Sequence, residues 1–171
     1  MSKKVIYAFI DAQNLHLAFK YSNRDLDFRK FRIFLSHKFR VQCAYLYIGY
    51  IPTHIKLYKF LEKSGFILRF KPVVINKMGV VKGNVDSEII VDALWHKYQE
   101  YDQAIFVSGD GDYVPLYSVL RNKHKLGKII VPSYKTMSSL LKDFSSYIYN
   151  LEWNKKVLKE SGGRAPNPRR N

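Results

Sequence analysis

Residues 4–15 read Lys4-Val-Ile-Tyr-Ala-Phe-Ile-Asp-Ala-Gln-Asn-Leu15. The run Lys4–Ile10 is almost continuously apolar and stops at Asp11, after which Leu15–Tyr21 takes up helical spacing. A short apolar run closed by a polar turn is the pattern of a strand buried on both faces, which is how parallel sheets are built. The same alternation continues along the chain. Asp27 is placed to cap a helix over Phe28–Phe39, Val41–Ile48 reads as a strand, Thr53 caps a helix to Lys63 that Gly65 ends, and Phe66–Ile75 is rich in β-branched and aromatic residues. A helix is expected over Ser87–Tyr101, a strand over Gln103–Val107, a helix over Tyr113–Lys123 and a strand over Gly127–Val131. A short helix over Thr136–Phe144 and a last strand over Tyr147–Leu151 complete the pattern. Strand and helix alternating without a long linker predict one α/β domain over residues 1–151, with a mainly parallel central sheet and helices on both faces. Residues 152–171, with six Lys or Arg, two Glu, two Gly and two Pro, read as a basic flexible tail.

Composition narrows the class of partner. The chain has 171 residues, 47% of them hydrophobic, with 29 Lys and Arg against 14 Asp and Glu, for a net charge of +15. The tail carries +4 of this, so the domain itself holds +11 and suits a polyanion. Cys43 is the only cysteine and lies in an apolar strand, which excludes a disulfide scaffold or a Cys-rich zinc site and fits a reduced, cytoplasmic setting. The longest stretch without a charged residue, Val41–Ile55, is too short to span a membrane and contains Gln42, Pro52 and His54. No membrane role is expected.

In a chain this poor in acids, their placement carries information. Five of the nine aspartates, Asp11, Asp86, Asp92, Asp110 and Asp112, fall in three short segments. Asp11 ends the first strand and Asp110 follows the strand Gln103–Val107. In open α/β sheets the ligand crevice lies beyond the carboxyl ends of the strands, so these two converge if their strands are neighbours. Like charges gathered in one crevice require a cation or raised pKa values. All-oxygen ligation suits Mg²⁺ or Mn²⁺, and a phosphodiester is the substrate that the basic surface would attract. Each acid also has a plainer role open to it. Asp11 and Asp86 can serve as helix caps, and Gly109-Asp-Gly-Asp112 is also an ordinary turn sequence. Asp92, six residues beyond Asp86 and so roughly 600° around a helix, is expected to support the site or the fold.

Taken together, Phe9-Ile-Asp-Ala-Gln-Asn-Leu15, Lys82-Gly-Asn-Val-Asp86 and Val107-Ser-Gly-Asp-Gly-Asp-Tyr-Val-Pro-Leu116 resemble the NYN domain family, the LabA-like (DUF88) branch of the PIN-like nucleases. The resemblance extends over roughly residues 4–151. It implies a PIN-like Rossmannoid fold, an acidic pocket for Mg²⁺ or Mn²⁺, and hydrolytic cleavage of RNA. By position, Asp11, Asp86, Asp110 and Asp112 would be the catalytic and metal-holding acids. Asn14 would orient a water or the phosphate, and Ser108 would hydrogen-bond the carboxylates or the scissile phosphate. Where the family often has Phe after the last acid, this chain has Tyr113, which is expected to pack in the same way.

The expected activity is therefore a metal-dependent endoribonuclease acting on single-stranded RNA. A non-catalytic RNA-binding or regulatory module that keeps the pocket is the alternative, and a small-molecule phosphatase would leave the +11 domain unused. Lys82, beside the pocket, is a candidate phosphate contact, and Arg121, Lys123, Lys125 and Lys128 are candidates for a basic rim. Tyr45 and Tyr47 share one strand face and read as core rather than as a base-stacking surface. Association with itself or with a protein partner is left open.

Overall fold

The computed structural model describes residues 4–20, 24–71, 74–75, 81–82 and 85–160. Its strands are β1 (Ile6–Asp11), β2 (Arg24–Leu26), β3 (Cys43–Gly49), β4 (Ile67–Lys71), β5 (Val74–Ile75), β6 (Val81–Lys82), β7 (Gln103–Val107), β8 (Leu126–Val131), β9 (Ile148–Asn150) and β10 (Leu158–Glu160). The α-helices are α1 (Ala12–Lys20), α2 (Phe28–Phe39), α3 (Ile55–Lys63), α4 (Asp86–Val91) and α5 (Val114–Asn122).

Six strands form one sheet in the order β4-β3-β1-β7-β8-β9, and every pairing in it is parallel. The order reverses between β1 and β7, so the chain builds outward in one direction from β1 and in the other from β7. The fold class is the expected one: a parallel α/β sheet covered on both faces. Alternation along β1 sorts the core into two layers. Ala8 and Ile10 pack with α1 and α2 residues such as Leu15, Phe31 and Leu35. Phe9 packs on the opposite face with Tyr45, Tyr47, Tyr101 and Phe106, under Ile89 of α4 and Tyr117 of α5. Tyr45 and Tyr47 are thus core, as their parity suggested. Asp11 has the parity of Phe9, which directs it to the layer of α4 and α5.

Several elements differ from their expected bounds. The helix expected over Ser87–Tyr101 is α4 followed by a π turn over Asp92–His96. The wider turn is closed by the Lys97 N–H donating to the Asp92 carbonyl. The expected strand Phe66–Ile75 divides into β4 and β5. Ser138 opens a stretch of 3₁₀ turns over Ser139–Tyr147, interrupted at Phe144, where a helix was expected over Thr136–Phe144. Much of the Lys82–Asp86 motif lies outside the described residues, including residues 83–84 and the side chain of Lys82.

Packing also continues beyond residue 151. Leu151–Trp153 forms a 3₁₀ turn, β10 pairs antiparallel with β2, and Val157 is 2% exposed within the core layer of α2. Residues 161–171 of the expected tail lie outside the described residues. Val157→Ala is therefore expected to cost about 2 kcal/mol of unfolding free energy in urea denaturation. No change in midpoint would mean that this segment does not pack.

Candidate active site

The carboxyl edge of the sheet gathers the acids. Ile10 pairs with Val107, so the neighbouring strands β1 and β7 deliver Asp11 and the Ser108–Asp112 loop to the same end. Asp86 begins α4 and Asp112 lies in the single 3₁₀ turn, Gly111–Tyr113, that leads into α5. One carboxylate oxygen each from Asp86, Asp110 and Asp112 lie within 4.8 Å of one another, an arrangement able to hold a metal ion. Asp86 and Asp110 are half-buried and Asp112 is exposed, so the cluster opens to solvent. Asp11 sits behind it, only 4% exposed.

Tyr113 links the buried acid to the open cluster. Its hydroxyl donates to Asp86 Oδ1 at 2.5 Å and lies 3.4 Å from Asp11 Oδ2. Burial, then the nearby charge of Asp11, raises the Tyr113 pKa well above its ordinary value, so the phenol keeps its proton and remains a donor. A phenylalanine here would fill the same space without this bond, and the hydroxyl is the feature that the family pattern hid. Tyr117 lies on the same side, its ring 6.0 Å from that of Tyr113. Its hydroxyl is buried and, among the described residues, has no hydrogen-bond partner; it lies in the field of Asp11, Asp110 and Asp86.

The loop is held by its own polar groups. Asp11 Oδ1 accepts from the Asn14 N–H at 2.9 Å, and Asn14 Oδ1 accepts from the Gly109 N–H at 2.8 Å. Asn14 thus fastens the start of α1 to the acid loop, and its side-chain oxygen is already in use. Ser108 Oγ accepts from the Asp110 N–H at 3.1 Å, and Asp110 Oδ1 accepts from the Asp112 N–H at 3.0 Å. Gly111 sits in a close approach, since a Cβ there would press on Ser138 Oγ and stand 2.9 Å from Leu140 Cδ1, so that both side chains would have to shift.

Other expected residues fall elsewhere. Asp92 accepts from the Tyr47 hydroxyl at 2.7 Å and stands 3.2 Å from Arg69 Nε, a charge contact rather than an aligned hydrogen bond. It ties the turn after α4 to β3 and β4 and is not part of the cluster of Asp86, Asp110 and Asp112. The expected basic rim does not form at the pocket. Arg121 and Lys123 lie at and just past the far end of α5, with Arg121 roughly 12 Å along the axis from Tyr113. Arg121 covers the Phe144 ring, Lys128 donates to the Ser146 carbonyl, and Lys125 donates to the carbonyls of Tyr98 and Tyr101. Helix direction explains the displacement, because α5 runs back from the carboxyl edge and carries its last turn to the opposite edge.

The NYN domain family matches residues 6–152. The chain belongs to this family. NYN domains are part of the PIN-like nuclease superfamily and are generally hydrolases, and the acidic cluster is present here. The crystal structure of a Vibrio parahaemolyticus protein of unknown function shares the fold, with a TM-score of 0.73 at 23% identity, covering 93% of this chain and 100% of the other. No curated protein matches the chain. Among the described residues, no helix is long and apolar enough to cross a membrane.

Burial, opposed in part by the Asn14 N–H and reinforced by Asp86, pushes the Asp11 pKa up to about 6. Below about pH 4 the group is protonated whether folded or unfolded. Between the two pKa values the folded state holds more protons, so stability falls as pH rises and the full cost of about 3 kcal/mol is reached above pH 6. Asn at this position keeps the acceptor for Asn14 and does not titrate. In EDTA, Asp11→Asn is expected to be more stable than the parent by up to about 3 kcal/mol above pH 6 and equal to it below pH 4. Equal stability across the whole range would contradict a buried, desolvated carboxylate.

Proposed function

We propose that this NYN domain is a divalent-metal-dependent endoribonuclease. The observation that carries this reading is the convergence of Asp86, Asp110 and Asp112 within 4.8 Å, in front of buried Asp11, on a chain of net charge +15. The residues fit a hard cation. The donor set is entirely oxygen, it is open on the side of Asp112, and the buried Tyr117 hydroxyl, unpartnered among the described residues, lies in the negative field of Asp11, Asp110 and Asp86. Asp86, Asp110 and Asp112 would hold Mg²⁺ or Mn²⁺, with Asp11 adding its charge from behind. A cation bound there supplies an activated water and stabilises charge on the phosphate and the leaving oxygen.

The remaining residues prepare the site. Tyr113 fixes Asp86 against Asp11 through its retained proton, while Asn14 and Ser108 hold the Gly109–Asp112 backbone so that Asp110 and Asp112 stay together. Such pre-organisation is how a site avoids rearranging its charges during reaction. The basic surface concentrates RNA, and hydrolysis with the 3′ oxygen as leaving group gives 5′-phosphate and 3′-hydroxyl ends.

The test is cleavage of end-labelled single-stranded RNA with Mn²⁺ or Mg²⁺, with and without EDTA. Cleavage is expected only with metal, and Asp110→Asn or Asp112→Asn should lower it by on the order of 100-fold or more. Chelator-insensitive cleavage, or full activity in both variants, would overturn the proposal. Salt-sensitive RNA binding without turnover under either metal would identify the non-catalytic module instead.

A further inference from the structure

Past the carboxyl ends of β8 and β9, paired through Val131 and Asn150, the chain places two large aromatic rings in solvent: Tyr134 is 44% exposed and Trp153 is 62% exposed. Their rings meet edge to face at 5.6 Å, and Trp153 also meets Tyr149 edge to face at 5.8 Å. Tyr149 is anchored by Phe34 and Phe39 of α2. The exposed pair is thus fixed from below, and edge-to-face contacts leave ring faces available to a further ring.

The surroundings are cationic. Lys38 stands over the Tyr149 ring at 4.9 Å, and Lys135, Lys155 and Lys156 are exposed beside the two aromatics in sequence. The acid of this stretch, Glu152, turns inward to accept from Ser133 Oγ at 2.9 Å. From Tyr134 the chain runs directly onto the acid loop, where the Ser138 N–H donates to the Gly109 carbonyl at 2.9 Å. Exposed rings, lysines and the acidic cluster therefore follow one another across a single edge of the sheet. Among the described residues the most exposed aromatic, Trp95 at 80%, lacks this setting, because it lies in the turn after α4, away from the end that carries Asp86.

We propose that Tyr134 and Trp153 form a stacking platform for unpaired bases of a single-stranded nucleic acid whose backbone continues to the Asp86–Asp110–Asp112 cluster. This rests on reading that cluster as the site of phosphodiester cleavage. Aromatic platforms beside lysines bind single strands because every base has a face to stack, and bases held in a duplex cannot reach them.

The test is fluorescence anisotropy of the full-length protein in EDTA with a labelled oligoadenylate of about ten nucleotides. Trp153→Ala and Tyr134→Ala are each expected to weaken binding about tenfold. Trp153→Phe, which keeps a ring, should retain most of the affinity and guards against a folding artefact. Trp95→Ala should bind as the parent does, and binding of a duplex RNA should be insensitive to all four changes. In a Trp95→Phe background the single strand should quench Trp153 fluorescence. Unchanged binding in both alanine variants, an equal loss in Trp95→Ala, or an equal loss for duplex RNA would overturn the platform. Trp153-dependent binding without cleavage under Mn²⁺ or Mg²⁺ would leave the platform standing and remove the nuclease reading. Cleavage by a protein whose alanine variants bind normally would do the reverse.

Discussion

A carboxylate buried at the carboxyl end of an interior strand of a parallel sheet is the constraint on which the rest of this structure turns. Asp11 has a neighbouring strand on each side, and side-chain alternation along β1 sends it into the aromatic layer beneath α4 and α5. A charge placed there without partners would be costly, and the surrounding chain answers it group by group. The Asn14 N–H donates to one of its oxygens, and the Tyr113 hydroxyl stands by the other while bonding Asp86. The same Asn14 holds Gly109, and the close approach at Gly111 seats the acid loop against Ser138. Local folding at the carboxyl edge is thus organised around keeping negative charge in place.

That organisation separates two kinds of charge. The acids that converge come from the end of β1, the start of α4 and the loop after β7, which topology brings to one edge. Several of the lysines and arginines that raise the net charge to +15 are spent on packing. Arg121, Lys125 and Lys128 cover rings or bind carbonyls toward the opposite edge. Under the proposed reading, the net charge would draw in a polyanion without placing it, and orientation over the cluster would rest on contacts at the carboxyl edge, where Tyr134 and Trp153 stand.

The fold and the principal acids were legible in the sequence because they depend on local pattern. An apolar run ending at Asp11 reads as a strand without knowledge of its neighbours, and Asp27 does cap α2 as its position indicated. What was not legible depends on relations between distant residues. The basic rim is the exception: residue type suggested it, although the β–α alternation already sends α5 back from the carboxyl edge and carries Arg121 and Lys123 away from the acids. Asn14 read as a group that orients a water or the phosphate and Ser108 as one that bonds the carboxylates or the phosphate, whereas the side-chain oxygens of both accept from N–H groups of the acid loop. The hydroxyl of Tyr113 passed for a packing variation because its acceptors lie 27 and 102 residues away. The pairing of β10 with β2 was hidden by the basic composition of the segment, since it is a long-range contact.

The most direct test of a cation-holding acid cluster is a crystal structure of the protein grown with Mn²⁺ and measured at a wavelength where manganese scatters anomalously. An anomalous peak is expected among the carboxylate oxygens of Asp86, Asp110 and Asp112, with Tyr113 still joined to Asp86 and Asp11 close behind. Well-ordered carboxylates without anomalous density between them, at a manganese concentration that supports binding elsewhere on the molecule, would contradict the assignment.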